Sequence, residues 1–209
     1  MFDISPRAAA VALGIRLEIA TVAWMTAEAV LALAAGLMAR SVLLAAFGFD
    51  SVIELISGLV LLWRLSAESR GAEVERVERL ELSTARISAV LLGLLCVFVA
   101  VTAVAGLAAG FKPAGSVLGI AVAAIALVAM PVLALFKARA NRVIGSASLR
   151  ADIAETVTCA CMAGVTLVGV ALSMLFGVWW VQYVGALALL IWLVPETREA
   201  LVAARGDHQ

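Results

Sequence analysis

Six long apolar runs, separated by short polar breaks, set the pattern of this chain. They fall at about 14–38, 41–65, 84–109, 115–136, 149–175 and 178–195. A helix needs about 20 residues to cross the hydrocarbon layer of a bilayer, and each run is close to that length or above it. Backbone groups facing lipid must satisfy their own hydrogen bonds, which makes helices the default; the alternating ten-residue strands of a barrel are missing. The expectation is an all-α, polytopic membrane protein with six transmembrane helices. Residues 1–13 form an N-terminal segment, 14–195 the six-helix domain and 196–209 a short tail.

The breaks differ in character. Ala39 and Arg40 alone separate the first two runs, Gly110-Phe111-Lys112-Pro113-Ala114 reads as a turn, and Phe176-Gly177 joins the last two. Residues 66–83 form a longer charged link with Glu68, Arg70, Glu73, Glu75, Arg76, Glu78, Arg79 and Glu81. Its acid–base spacings of three and four suit a helix carried on into water. Of the 15 Lys and Arg residues, only Arg40 and Lys112 fall on one side of the expected topology, and the other 13 on the opposite side. The positive-inside rule then puts both termini in the cytoplasm of a multi-pass cell-membrane protein. The first 15 residues lack the basic start and small-residue cleavage site of a secretory signal, so the first run is read as a span.

Composition adds to this picture. Hydrophobic residues make up 65% of the chain, against roughly 45–50% in soluble domains, so lipid has to be the solvent for much of the surface. A net charge of zero gives no reason to expect nucleic acid. Cys96, Cys159 and Cys161 all lie in apolar runs, an odd number that does not suggest a disulfide framework. No phosphate-binding glycine loop, nucleophile elbow or H-E-x-x-H motif occurs. The single histidine, His208, is next to last and reads as a tail residue.

Five acids interrupt the apolar runs: Glu28, Asp50, Glu54, Asp152 and Glu155. Each ionisable group at membrane depth costs at least about 2.5–3.5 kcal/mol, and no basic residue lies deep enough to pair with them all. Cations from solution, either metal ions or protons, are the natural partners. Asp50 and Glu54 share one helix face about 6 Å apart along the axis. Glu155 and Cys159 repeat that spacing in the fifth run, with Asp152 on the same face and Thr156 and Thr158 as weaker polar neighbours. Together they offer oxygen ligands and one thiolate for an ion. The competing reading is helix glue, in which protonated carboxyls hydrogen-bond across helices and cysteine acts as a small hydrophobe. Glu28 either lines the same cavity or carries protons, and Glu18 is expected at an interface. Cys96 and Cys161, the Gly106/Gly110 and Gly115/Gly119 pairs, and a kink at Pro131 read as packing features. Trp179, Trp180 and Tyr183 suit an aromatic belt.

Several of these residues carry a resemblance. Residues 41–54, with Asp50 and Glu54, resemble the second helix of the cation diffusion facilitators and its (His/Asp)-x-x-x-Asp pair. Ser148-Leu149-Arg150-Ala151-Asp152-Ile153-Ala154-Glu155 resembles the family's S-x-x-L-x-A-D-x-x-H at helix five. Trp179-Trp180-Val181-Gln182-Tyr183 resembles the W-W-x-D-P that opens helix six, with Gln182-Tyr183 in place of Asp-Pro. The resemblance covers the transmembrane domain, without the family's C-terminal cytoplasmic domain, and extends over nearly the whole chain. It implies a mid-membrane tetrahedral metal site formed by Asp50, Glu54, Glu155 and Cys159, with alternating access and exchange of metal for protons. Three carboxylates and a thiolate suit Zn²⁺, Fe²⁺, Mn²⁺, Co²⁺ or Cd²⁺ better than Mg²⁺ or Ca²⁺. The expected function is proton-coupled efflux of such a metal, which is substrate rather than prosthetic group, and a homodimer is compatible with it. The alternative is a metal-binding or interaction protein on the same scaffold that does not transport. An intramembrane enzyme is disfavoured, since no nucleophile–base pair is apparent.

Overall fold

A computed structural model describes residues 6–69 and 74–205, with side-chain surroundings for 9–67, 86–87, 89–146 and 149–202. It contains six helices: α1 (Pro6–Ala39), α2 (Val42–Ser69), α3 (Val74–Ala108), α4 (Val117–Ile144), α5 (Ala147–Phe176) and α6 (Val181–Arg205). No strand occurs among the described residues. The fold is that of a polytopic helical membrane protein, as the apolar runs predict. Helices α1 to α5 are each long and apolar enough to cross a bilayer. Helix α6 is more polar, because Glu196, Arg198 and Glu199 follow its apolar stretch. The helices run beyond the expected spans at one end of the bundle. Helix α1 begins eight residues earlier than expected, at Pro6, and α3 ten residues earlier, at Val74, so most of the charged link is helical. Helix α4 runs past Phe136 to Ile144, and α6 past Pro195 to Arg205. Polar residues hide these extensions from a hydropathy reading, although their backbone still favours the helix.

The turns are local and tight. Arg40 takes a left-handed φ of 50°, and the Ser41 amide bonds the Gly36 carbonyl at 2.9 Å. Gly36 is required there, because a Cβ would sit 2.7 Å from the Ala45 nitrogen. Between α4 and α5, Gly145 at φ 70° ends one helix and Ser146 caps the next. Asn141 locks this corner by bonding both the amide and the carbonyl of Ser146. Such short connections make α1/α2 and α4/α5 antiparallel pairs.

Helix α2 packs against α1, α3, α5 and α6, while α3 pairs with α6, and α4 with α5 and α1. The main core gathers around Leu43, Leu44, Phe47, Met130, Met162, Leu189 and Leu193; a smaller one, around Leu61, Leu65, Ile144 and Leu149, fills the end where α1 starts. Leu37 and Leu175, both 76% exposed, illustrate the apolar outer surface that lipid would cover. Tyr183 departs from its expected place in an aromatic belt. It is buried, its hydroxyl donates to the Phe111 carbonyl at 2.9 Å, and its ring fills the space left by Gly106 of α3. Trp180 is exposed, as a belt residue should be. Gln182 is also buried, accepting from Ser41 Oγ at 2.6 Å and donating to Ser173 Oγ at 2.9 Å. It ties α6 to the α1/α2 turn and to α5.

Candidate metal centre

The central position of α2 decides where the acids meet. Asp50 and Glu54, one turn apart near the middle of α2, both point into the bundle, where α5 brings Cys159 opposite them. A carboxylate oxygen from each acid and the Cys159 sulfur lie within 4.8 Å of one another, and all three residues are buried. An ion equidistant from the three donors would sit at most about 2.8 Å from each, so a contraction of about half an ångström gives ordinary metal–ligand lengths.

Hydrogen bonding separates these acids from structural ones. Both oxygens of Asp50 and Oε1 of Glu54 are buried and have no hydrogen-bond partner. Buried polar groups are nearly always satisfied, and leaving one unsatisfied costs about 1–3 kcal/mol. Carboxyls acting as helix glue would be bonded to another helix, and Asp50 is not. Three buried carboxylate oxygens without hydrogen-bond partners, on residues that group with Cys159, have the chemistry to hold a cation.

Glu28 on α1 shows the contrast. It is fully buried and accepts from Ser51 Oγ of α2 at 2.8 Å, from Cys159 Sγ at 3.4 Å and from the Trp24 indole. Its lone pairs are occupied, so it orients the thiol and does not lie open to an ion. Ser51, which sequence reasoning passed over, also returns a bond to the Phe47 carbonyl. Such a second layer fixes ligand direction and tunes affinity.

Glu155, expected as a fourth ligand, is half-buried and lies outside the 4.8 Å group. Its charge still interacts with those of Asp50 and Glu54. Glu196 of α6 was placed in a solvated tail by the sequence reading. Because α6 continues through Pro195, Glu196 comes instead within electrostatic reach of Asp50, Glu54 and Glu155, and its Oε2 is buried without a hydrogen-bond partner. The one available signal was the shortness of the sixth apolar run.

Two further charged residues lie inside the bundle. Glu18, expected at an interface, has its side chain fully buried between helices. One basic residue does reach the acids in part: Lys137 is 1% exposed, with its ammonium 2.7 Å from Asp152 Oδ2 and 3.0 Å from Glu18 Oε2, and Glu28, Asp50, Glu54 and Glu155 are left to other cations. Ending the fourth run at Phe136 hides Lys137, which α4 carries on its helical extension. Asp152 therefore faces Lys137 rather than the converging α2 acids. Thr156 donates to the Asp152 carbonyl at 2.8 Å and makes no ligand of itself. Cys161 lines an apolar groove of about 710 Å³ between α4, α5 and α6, in which no acid takes part.

The comparison with known families bears on this arrangement. The family described as the cation efflux transmembrane domain matches residues 19–205. This chain belongs to the cation efflux family. The match takes in α1 from Ile19 onward and all of α2 to α6, with Glu28, Asp50, Glu54, Glu155, Cys159 and Glu196, while Glu18 lies just outside it. No curated protein matches the chain. Membership in the cation efflux family supports divalent-cation transport in general, and a buried Asp50–Glu54–Cys159 group is present in the bundle.

Proposed function

We propose that this protein carries a divalent transition-metal ion across the cell membrane, with Asp50, Glu54 and Cys159 as the ligands that hold the ion midway. The convergence of three donor atoms within 4.8 Å, from two helices and with Asp50 wholly unpaired, carries this reading. Glu155 and Glu196 supply further negative charge and complete the shell as the helices adjust. One thiolate among carboxylates favours Zn²⁺, Fe²⁺, Mn²⁺, Co²⁺ or Cd²⁺ over Mg²⁺ and Ca²⁺. Both termini are cytoplasmic, on the strength of the Lys and Arg asymmetry. Export is coupled to protons: metal displaces them from the ligands on one side, and protons from outside compete the metal off on the other. An empty cage of ionised acids would be too costly to expose and re-bury, so either metal or protons occupy it throughout the cycle.

The test is ion flux in proteoliposomes with an imposed pH gradient, with Zn²⁺ and Mn²⁺ as probes. Wild-type flux should follow the gradient, and Asp50→Asn should abolish it. Flux in Asp50→Asn equal to that of the wild type would remove the cage from the pathway. Metal binding without flux in the wild type would favour the non-transporting alternative.

A further inference from the structure

The apolar groove between α4, α5 and α6 leads into a basic corner. Its volume is about 710 Å³, and no charged side chain lines it. On α5 its wall is formed by Val157, Cys161, Gly164 and Val168. Spacings of three and four carry that same face back through Ala154 to Arg150. On α4 the wall residue Pro131 is followed, at the same spacings, by Leu135, Ala138 and Arg142. On both helices the face therefore ends in an exposed arginine. The Lys137–Asp152 contact fixes the antiparallel register and puts Arg142 and Arg150 within about one turn of each other in height.

These two charges are not met inside the chain. No ion pair joins Arg142 or Arg150 to a described residue. Among the described side chains the only exposed acid is Glu199, on α6. Arg142 is in the last turn of α4, where the helix dipole favours a cation. Arg150 has no such account: it is in the opening turn of α5, after the cap Ser146, where the dipole favours an anion. Arg64 of α2 adds another cation at this corner, its guanidinium donating to Ser146 Oγ at 2.7 Å.

We infer that α4 and α5 hold an anionic phospholipid, with its phosphate between Arg142 and Arg150 and one acyl chain laid along the groove. Val157 is about 10 Å from Arg150 along the helix and Gly164 about 21 Å, while the hydrocarbon of one leaflet is about 15 Å deep. A chain anchored at the arginines passes Ala154 and enters the groove before the middle of the bilayer. A helix from a second copy would also fill an apolar groove, but it would leave the arginines at its end unmet, so charge decides for the lipid. The phosphate ties α4 to α5 on the lipid side of the corner, behind the Lys137–Asp152 contact, and braces the helix that carries Cys159. This site is separate from the metal cage and does not depend on it.

The experiment titrates full-length protein in detergent with phosphatidylglycerol or phosphatidylcholine brominated on the acyl chains, which quench the tryptophans they touch. Trp192 lines the groove, so the signal lost in Trp192→Phe reports this site. The wild type should bind phosphatidylglycerol at least about tenfold more tightly than phosphatidylcholine, the order that two arginines contribute. Arg142→Gln/Arg150→Gln should lose that preference, whereas Arg40→Gln/Lys112→Gln, at the other end of the bundle, should keep it. Cys161→Trp, which fills the groove and leaves the charge unchanged, should weaken phosphatidylglycerol binding by a similar factor. Glycerol 3-phosphate, a headgroup without chains, should not displace the lipid; displacement would mean a free-phosphate site and overturn the inference. Equal affinity for the two lipids in the wild type, or an unchanged preference in folded Arg142→Gln/Arg150→Gln, would overturn it as well. A dimeric wild type that Cys161→Trp turns monomeric without loss of lipid would assign the groove to a second copy and also overturn it. If the double arginine variant does not fold, the wild type decides through salt: high ionic strength should remove the preference for phosphatidylglycerol, and a preference that persists would overturn the inference.

Discussion

Replacing Asp50 by Asn should move stability in opposite directions with and without metal. The substitution keeps side-chain volume and removes the ionisable group whose two oxygens lack any hydrogen-bond partner. Without metal, the variant exchanges an unsatisfied buried acid for a neutral amide, which keeps polar atoms in place but can no longer carry a buried charge. With metal, one charged ligand of a three-donor site is gone. Breaking a buried charge pair costs about 3–5 kcal/mol, which is at least a hundredfold in affinity. At a metal concentration 100 times the wild-type dissociation constant, the wild type gains about 2.7 kcal/mol and the variant at most about 0.4 kcal/mol. For a chain of this length each kcal/mol moves the midpoint by about 2–4 °C. Thermal melting in detergent, followed by tryptophan fluorescence, should show a wild-type metal shift of about 5–10 °C and a variant shift below about 2 °C. The metal-free variant should melt at or above the wild-type temperature. A variant that keeps the full metal shift, or that loses more than about 1 kcal/mol without metal, would refute the assignment of Asp50 as an unpaired ligand.

Other outcomes follow from the same geometry. Cys159→Ser replaces the soft donor with a hard one, so calorimetry across a divalent series should show Cd²⁺ and Zn²⁺ weakening by at least about tenfold relative to Mn²⁺. Glu28→Gln disturbs the group that orients the thiol through a 3.4 Å contact without removing a ligand, and should weaken metal binding by about 10–100-fold in the same titration. Gly106→Val forces a side chain into the Tyr183 ring, 2.5 Å from where a Cβ would stand. It should destabilise the α3/α6 pair by about 1–3 kcal/mol, seen as a lower melting temperature both with and without metal.

The sequence by itself determined the helices and one side of the site. Apolar runs of bilayer length specify spanning helices because lipid offers the backbone no other partner. The i, i+4 spacing puts Asp50 and Glu54 on one face of α2 whatever surrounds them, and Cys159 has the same relation to Glu155 on α5. Periodicity gives the face of a residue on its own helix, and nothing about which helix stands opposite or at what height. Only the tertiary structure could bring Cys159, rather than Glu155, level with the α2 acids, satisfy Glu28 through Ser51, and slide Lys137 between Glu18 and Asp152. Glu196 shows the same division: its charge marks it as the end of a span in a hydropathy reading, yet α6 continues through Pro195 and carries it to the cage. Long-range axial register decides these meetings, and it is set by close packing such as Gly36 on Ala45 and Gly106 on Tyr183, which no local pattern encodes.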